Sequence, residues 1–290
     1  MASEEFTLDF KTQHEWEWLA VLDFFLAGGG AGLFLLGALL SVEVATLLGV
    51  IATALGAIAL LVDLGRPERF WRAISNPTTS WISRGALLVS AFLLFGAIHI
   101  LLWLTGNTGS GLDTAAVVIA AIAAVGVMAY TGFLLSFSPA IPAWHSTLLP
   151  IMFIASSLVT AVGAIFLLAP MLDQGFVGTH LEAWKRLGLL LMATDVVLVL
   201  AYVATMLSST LAARQAVRQL TQGSLASAFV GGALVVGLLL PLALVATAYL
   251  ADIGLPTVKT YLAISGILLV VGGLTLRYSL LRAGVYQPLV

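Results

Sequence analysis

Eight windows of predominantly apolar residues recur along this chain, at 18–40, 44–62, 82–104, 114–136, 148–171, 187–209, 226–250 and 261–281. A helix needs about 20 such residues to cross the hydrocarbon core of a bilayer. Lipid offers backbone N–H and C=O groups no partners, so runs of this kind must bond internally, as helices. The sequence therefore predicts an all-α integral membrane protein of about eight transmembrane helices. It forms one polytopic domain over 1–290, with a polar N-terminal tail over 1–17 and an Arg/Trp-rich loop over 64–82. Two packed four-helix bundles fit this spacing. An even number of spans puts both termini on one side, here named side A.

Composition agrees with a bilayer location. The chain is 61% hydrophobic and 9% charged, with a mean hydropathy of +1.10; soluble domains carry about a quarter charged residues. The tail holds Glu4, Glu5, Asp9, Glu15 and Glu17, which is no signal peptide. There is no basic face for nucleic acid and no glycine-rich phosphate loop. With no cysteine, the chain can hold neither an iron–sulfur cluster nor a disulfide. Of four histidines (His14, His99, His145 and His180), only His99 lies well inside a span. A bis-histidine haem between facing helices is thereby excluded, and a His–Met haem is the one arrangement left open.

The stretch from Asp63 to Gly85 concentrates the charge. It holds Arg66, Arg69, Arg72 and Arg84, four of the twelve basic residues. On side A these join Lys11, Arg214, Arg218 and Arg282, against Lys185, Arg186 and Lys259 on side B. Positive charge on short loops marks the cytoplasmic face, so the loop reads either as a topogenic signal or as a docking surface. In the docking reading Arg66, Arg69, Arg72, Arg84, Arg214 and Arg218 receive a partner.

Ionisable groups inside spans are functional candidates by default. At 1.5 Å per residue, Asp23 on the first span, Tyr130 on the fourth and Arg277 on the eighth reach one depth near side A. Asp23 shares its face with Ala27 and Gly30, and Tyr130 shares its face with Gly126 and Ala123. Small neighbours leave space for a flat ligand, or simply allow close helix contact. The structural alternatives are a satisfied tyrosine hydroxyl and an Asp23–Arg277 pair. Toward side B, His99, Asp195 and Tyr202 form a sparse ladder, readable as a proton path or as separate structural groups.

Taken together, Asp63-Leu-Gly-Arg-Pro-Glu-Arg-Phe-Trp-Arg72, Ser80-Trp-Ile-Ser-Arg-Gly85, Tyr130-Thr-Gly-Phe-Leu-Leu-Ser136, Pro142-Ala-Trp-His-Ser-Thr-Leu-Leu-Pro150 and Gly272-Gly-Leu-Thr-Leu-Arg-Tyr-Ser279 resemble the NrfD-type quinone-reactive membrane subunits. That family includes the membrane subunit of polysulfide reductase. The resemblance covers essentially the whole chain. It implies a prokaryotic inner-membrane anchor without its own haem or cluster, carrying a ferredoxin-like iron–sulfur subunit and a molybdopterin-type catalytic subunit. Electrons would pass between the nearest cluster and a quinone, menaquinone or ubiquinone, with proton translocation a further role. It further implies that Tyr130 is the quinone-pocket tyrosine, with Asp23 standing where the polysulfide reductase subunit has a histidine. Arg66, Trp144 and His145 are rim candidates. The resemblance turns side A away from the cytoplasm, opposite to the charge count, and orientation stays open. The rivals are a secondary transporter or ion channel, suggested by Leu240-Pro241 and the intramembrane aspartates, and an anchor that binds no quinone.

Overall fold

The computed structural model describes residues 11–63, 75, 77–78, 80–172, 174–251 and 254–287. Among them the chain is helical: α1 (Trp18–Leu39), α2 (Glu43–Asp63), α3 (Trp81–Leu104), α4 (Gly111–Ser136), α5 (Leu148–Leu168), α6 (Gln174–Leu207), α7 (Leu211–Thr221), α8 (Ser227–Leu250) and α9 (Leu255–Arg282). Eight of these are long and apolar enough to cross a membrane, and α7 is not. Arg66, Arg69 and Arg72 lie outside the described residues.

On α2, side-chain size decides which face turns inward. Ala45, Thr46, Gly49, Thr53 and Gly56 are buried, while Leu48, Ile51, Leu55, Ile58 and Val62 are exposed. Lipid tails solvate leucine as well as a protein core does, so large apolar groups face out and small ones let helices touch. A Cβ on Gly30 would lie 2.6 Å from the Gly49 carbonyl oxygen, so α1 and α2 meet backbone to backbone. Gly237 and Gly272 do the same for α8 and α9. Helix α1 packs on α2, α4, α5 and α9, which makes the seam between α1–α4 and α5–α9 a filled core.

Caps set the helix starts. Ser80, Ser110 and Thr210 accept hydrogen bonds from the amides of Ser83, Asp113 and Ala213, satisfying donors that a first turn leaves free. Pro241 has no N–H to offer the Gly237 carbonyl, and the preceding Ser227–Leu239 segment is wound as a π-helix, with Leu240 N–H bonded to the Val235 carbonyl. Helix α8 thus runs through Pro241 without breaking, unlike the discontinuous helix a transporter reading would require.

Two segments read as loops in the sequence are helical. Helix α6 begins at Gln174, so Lys185 and Arg186 sit within it. Lys185 is buried there, donating to the Ala248 carbonyl at 2.9 Å and pairing with Glu182 at 2.6 Å. Helix α7 is amphipathic: Ala212, Ala213, Ala216, Val217 and Leu220 are buried, and Arg214 and Arg218 are exposed one turn apart. The described chain ends meet, with Gln13 N–H bonded to the Gly284 carbonyl and Tyr286 N–H to the Lys11 carbonyl, both at 2.9 Å. Tyr286 also donates to Glu15 at 2.8 Å, which holds that exposed carboxyl below its usual range.

Candidate functional site

Asp23 sits in the second turn of α1 and Tyr130 on α4, and both are buried. The Tyr130 hydroxyl donates to Asp23 Oδ2 at 3.1 Å. Both residues line a cavity of about 310 Å³. Helix α2 supplies one wall with Ala57, Leu60 and Leu61, and α3 supplies the other with Gly85, Ala86, Val89 and Leu93. The hydroxyl and the carboxyl therefore form a polar spot in a mostly apolar slot, the pattern of a site that buries a small molecule and orients it by few contacts. Ser90, on α3, is a further polar group in the lining.

Gly85 makes the slot. A Cβ there would strike the Tyr130 ring, so the ring packs directly against the α3 backbone. This glycine closes the Ser80–Gly85 motif, whereas the small residues singled out from spacing serve helix contact. Gly126 is filled by Leu88, and Gly30 by α2. Trp16, just before α1, completes the lining; its ring packs against Phe24 and edge-on to Trp144. Gln13 holds this turn by accepting from Trp16 N–H at 2.9 Å.

No ion pair joins Asp23 to Arg277 among the described residues. The buried Arg277 guanidinium donates instead to the Phe24 carbonyl (3.0 Å), the Gly273 carbonyl (3.0 Å) and Ser157 Oγ (2.8 Å). Asp23 is left to Tyr130 and the cavity.

Of the rim candidates, Trp144 is buried and donates to the Leu280 carbonyl at 3.0 Å, backing Trp16 without lining the slot. His145 is exposed, with Nδ1 2.6 Å from the Ser136 carbonyl. Arg84 donates to the Pro77 and Thr78 carbonyls at 2.8 and 2.7 Å and stacks over Trp81, so it closes its own loop.

His99, Asp195 and Tyr202 are not joined to one another by hydrogen bonds. His99 Nδ1 lies 2.7 Å from Asp113 Oδ1, and Nε2 lies 3.1 Å from Glu43 Oε2. The histidine thus ties the side-B ends of α2, α3 and α4, with Phe34 edge-on to its ring. Neither carboxylate stands out in the sequence, because each sits at a helix start, where an acid is ordinary. Tyr202 donates to the Ala143 carbonyl at 2.7 Å. Asp195 borders a small separate cavity between α5, α6, α8 and α9. No three His, Asp or Glu side chains converge as metal ligands among the described residues.

This geometry can be set beside known proteins. The family model described as "Polysulphide reductase, NrfD" matches residues 8–288. The chain belongs to the NrfD family. It is 24% identical to the C subunit of polysulfide reductase from Wolinella succinogenes over 301 residues, covering 93% of this chain and 94% of the relative. It is 27% identical to Protein NrfD of Escherichia coli K12 over 197 residues, 55% of this chain and 60% of that protein. Membership of the NrfD family and the eight apolar helices make it a multi-pass protein of a prokaryotic inner membrane.

Proposed function

We propose that this chain is the quinone-reactive membrane subunit of a respiratory oxidoreductase, and that the quinone head group binds between α2 and α3 against Tyr130 and Asp23. The observation that carries the reading is the Tyr130–Asp23 hydrogen bond at the back of the 310 Å³ apolar slot. Ile82 and Ser90 line the slot and are also exposed on the outside of the bundle. Helices α2 and α3 touch each other far less than α2 touches α1. A substrate dissolved in the bilayer would therefore enter sideways between α2 and α3, leaving its isoprenoid tail in lipid.

Reduction of a quinone takes two electrons and two protons to give the quinol, and oxidation reverses both. Tyr130 donates a hydrogen bond to one carbonyl oxygen, favouring the negative charge that develops there. Asp23, released from Tyr130 when the ligand takes its place, exchanges one proton with the same oxygen, and the second proton passes between the other oxygen and water of side A. Electrons come from or go to an iron–sulfur partner of ferredoxin type, itself attached to a molybdopterin-type subunit. The 64–82 loop, Arg214 and Arg218 form the surface for that partner on side A. The polysulfide reductase relationship supports the oxidoreductase class; the slot supports the quinone.

The protons exchange on side A, where the slot lies, and the reading requires no ladder through His99. The test is quinone-dependent turnover of the assembled complex in Tyr130→Phe and Asp23→Asn, beside dye-linked activity of the catalytic subunit. Selective loss of the quinone reaction is expected. Normal quinone kinetics in both variants would move the site elsewhere.

A further inference from the structure

One part of the slot lining is carried by no helix. The other lining residues stand on α1, α2, α3 and α4, but Trp16 precedes α1. Leu61, Ile82 and Leu134 mark the side-A ends of α2, α3 and α4 in that lining, so Trp16 covers the slot at its side-A end. The residue is half-buried. Its ring centroid lies 5.6 Å from that of Phe24 and 6.3 Å from that of Trp144, and Trp144 is itself held by its bond to the Leu280 carbonyl.

A segment ahead of the first helix is ordinarily poorly ordered unless something ties it down. Here the tie is Gln13, which is 1% exposed. Its Oε1 accepts from Trp16 N–H at 2.9 Å, and its Nε2 donates to the Trp16 carbonyl at 3.3 Å and the Leu281 carbonyl at 2.9 Å. Beside it Thr12 forms an antiparallel bridge with Val285, and Gln13 N–H bonds to the Gly284 carbonyl. A Cβ on Gly284 would lie 2.8 Å from both Gln13 Cγ and Trp144 Cζ2, so the close approach requires glycine. A buried amide is costly unless its groups are bonded. Every bond of this one fixes either the Trp16 backbone or the last turn of α9. Helix α1 is already anchored by packing on α2, α4, α5 and α9, so what the clamp adds is the place of Trp16.

We propose that Trp16 is a binding residue for the quinone head group, its indole packing on the flat ring at the side-A end of the slot, and that Gln13 is the positioning residue that holds the indole there. The proposal rests on the quinone reading of the slot. Aromatic rings favour offset-stacked or edge-to-face contact, so a fixed indole at this end sets the depth at which a carbonyl oxygen reaches the Tyr130 hydroxyl. The segment from Ala283 to Tyr286 thereby serves the site without lining it.

The test is a double-mutant cycle on the assembled complex, read as KM and kcat for a water-soluble quinone analogue, each rate normalised to dye-linked activity. Trp16→Ala is expected to raise KM by roughly 2- to 10-fold, the range one aromatic contact supplies. Trp16→Phe keeps a ring and should stay within about twofold of wild type. Gln13→Ala should raise KM like Trp16→Ala, and the two together should do no worse than Trp16→Ala alone, because the glutamine acts through the indole. If Gln13→Ala does not assemble, Gly284→Ala takes its place, pressing on Gln13 from outside the slot. An unchanged KM in Trp16→Ala, beside a lost quinone reaction in Tyr130→Phe, would overturn the binding role and leave the quinone reading standing. A Trp16→Phe enzyme as impaired as Trp16→Ala would overturn the ring contact. Additive effects of Gln13→Ala and Trp16→Ala, or an unchanged KM in Gln13→Ala, would overturn the positioning role. Normal kinetics in Tyr130→Phe and Trp16→Ala alike would sink the quinone reading itself, and this proposal with it.

Discussion

Replacing Tyr130 by phenylalanine removes one oxygen from a packed ring. The ring itself stays fixed between the α3 backbone at Gly85 and the core of α4, so the variant tests the hydroxyl alone. That hydroxyl is the donor to Asp23 Oδ2 at 3.1 Å, in a site from which water is largely excluded. With quinone bound, the same hydroxyl donates to the carbonyl oxygen on which negative charge develops, and a hydrogen bond to a charged group is worth about 1.5–3 kcal/mol. At 1.36 kcal/mol per decade, its loss in the transition state corresponds to roughly 10- to 150-fold in kcat/KM for the quinone. The assay is quinol- or quinone-dependent turnover in membranes, normalised to dye-linked activity of the attached catalytic subunit. The dye-linked rate is expected to be unchanged, because the dye bypasses the slot. A Tyr130→Phe enzyme within twofold of wild type in the quinone assay would refute the assignment.

Other expectations follow from particular contacts. Gly85→Val drives a side chain into the Tyr130 ring and fills the slot; quinone turnover should vanish while the eight spans still insert, and retained turnover would argue for another site. Arg214→Glu with Arg218→Glu alters only the exposed face of α7. The subunit's own stability should move by no more than about 0.5 kcal/mol, but co-purification of the iron–sulfur partner should fall, and undiminished recovery counts against docking there. His99→Gln leaves the buried Asp113 without its ring partner and should destabilise the side-B ends of α2–α4 by about 1–3 kcal/mol; the proton-to-electron ratio should stay constant, and a changed ratio would revive the ladder. Tyr286 keeps the Glu15 carboxyl below its usual range, so its support for the paired chain ends is present above the ordinary carboxylate range and lost as pH falls through the lowered value. Tyr286→Phe should abolish that dependence in hydrogen exchange at Gln13 and Tyr286, and the same acid-induced opening in the variant would show that Glu15 is not its cause.

The spans are legible in the sequence because hydrocarbon imposes one rule on every backbone group. The depth match of Asp23 with Tyr130 is equally legible, since rise per residue converts position into height. What height does not give is azimuth. By spacing, Gly126 and Gly30 allow either room for a ligand or close helix contact, and they take the second, filled by Leu88 and by α2; the space comes from Gly85, on a helix whose rotation no spacing rule fixes. Arg277 stands at the right depth to pair with Asp23 yet turns to the Phe24 carbonyl. Helix α7 is hard to see because its mixed alanine and arginine content lowers hydropathy, although Thr210 as a cap and the apolar spacing from Ala212 to Leu220 mark it. The carboxylates around His99 come from two other helices, and only folding brings them together.

The central claim is that quinone occupies the slot between α2 and α3, and photolabelling with an azidoquinone tests it most directly. In the assembled complex the label is expected on the α3 segment from Ile82 to Leu93, protected by excess unmodified quinone and absent from Gly85→Val. Protected labelling of α5, α8 or α9 in its place, persisting in Gly85→Val, would contradict the account.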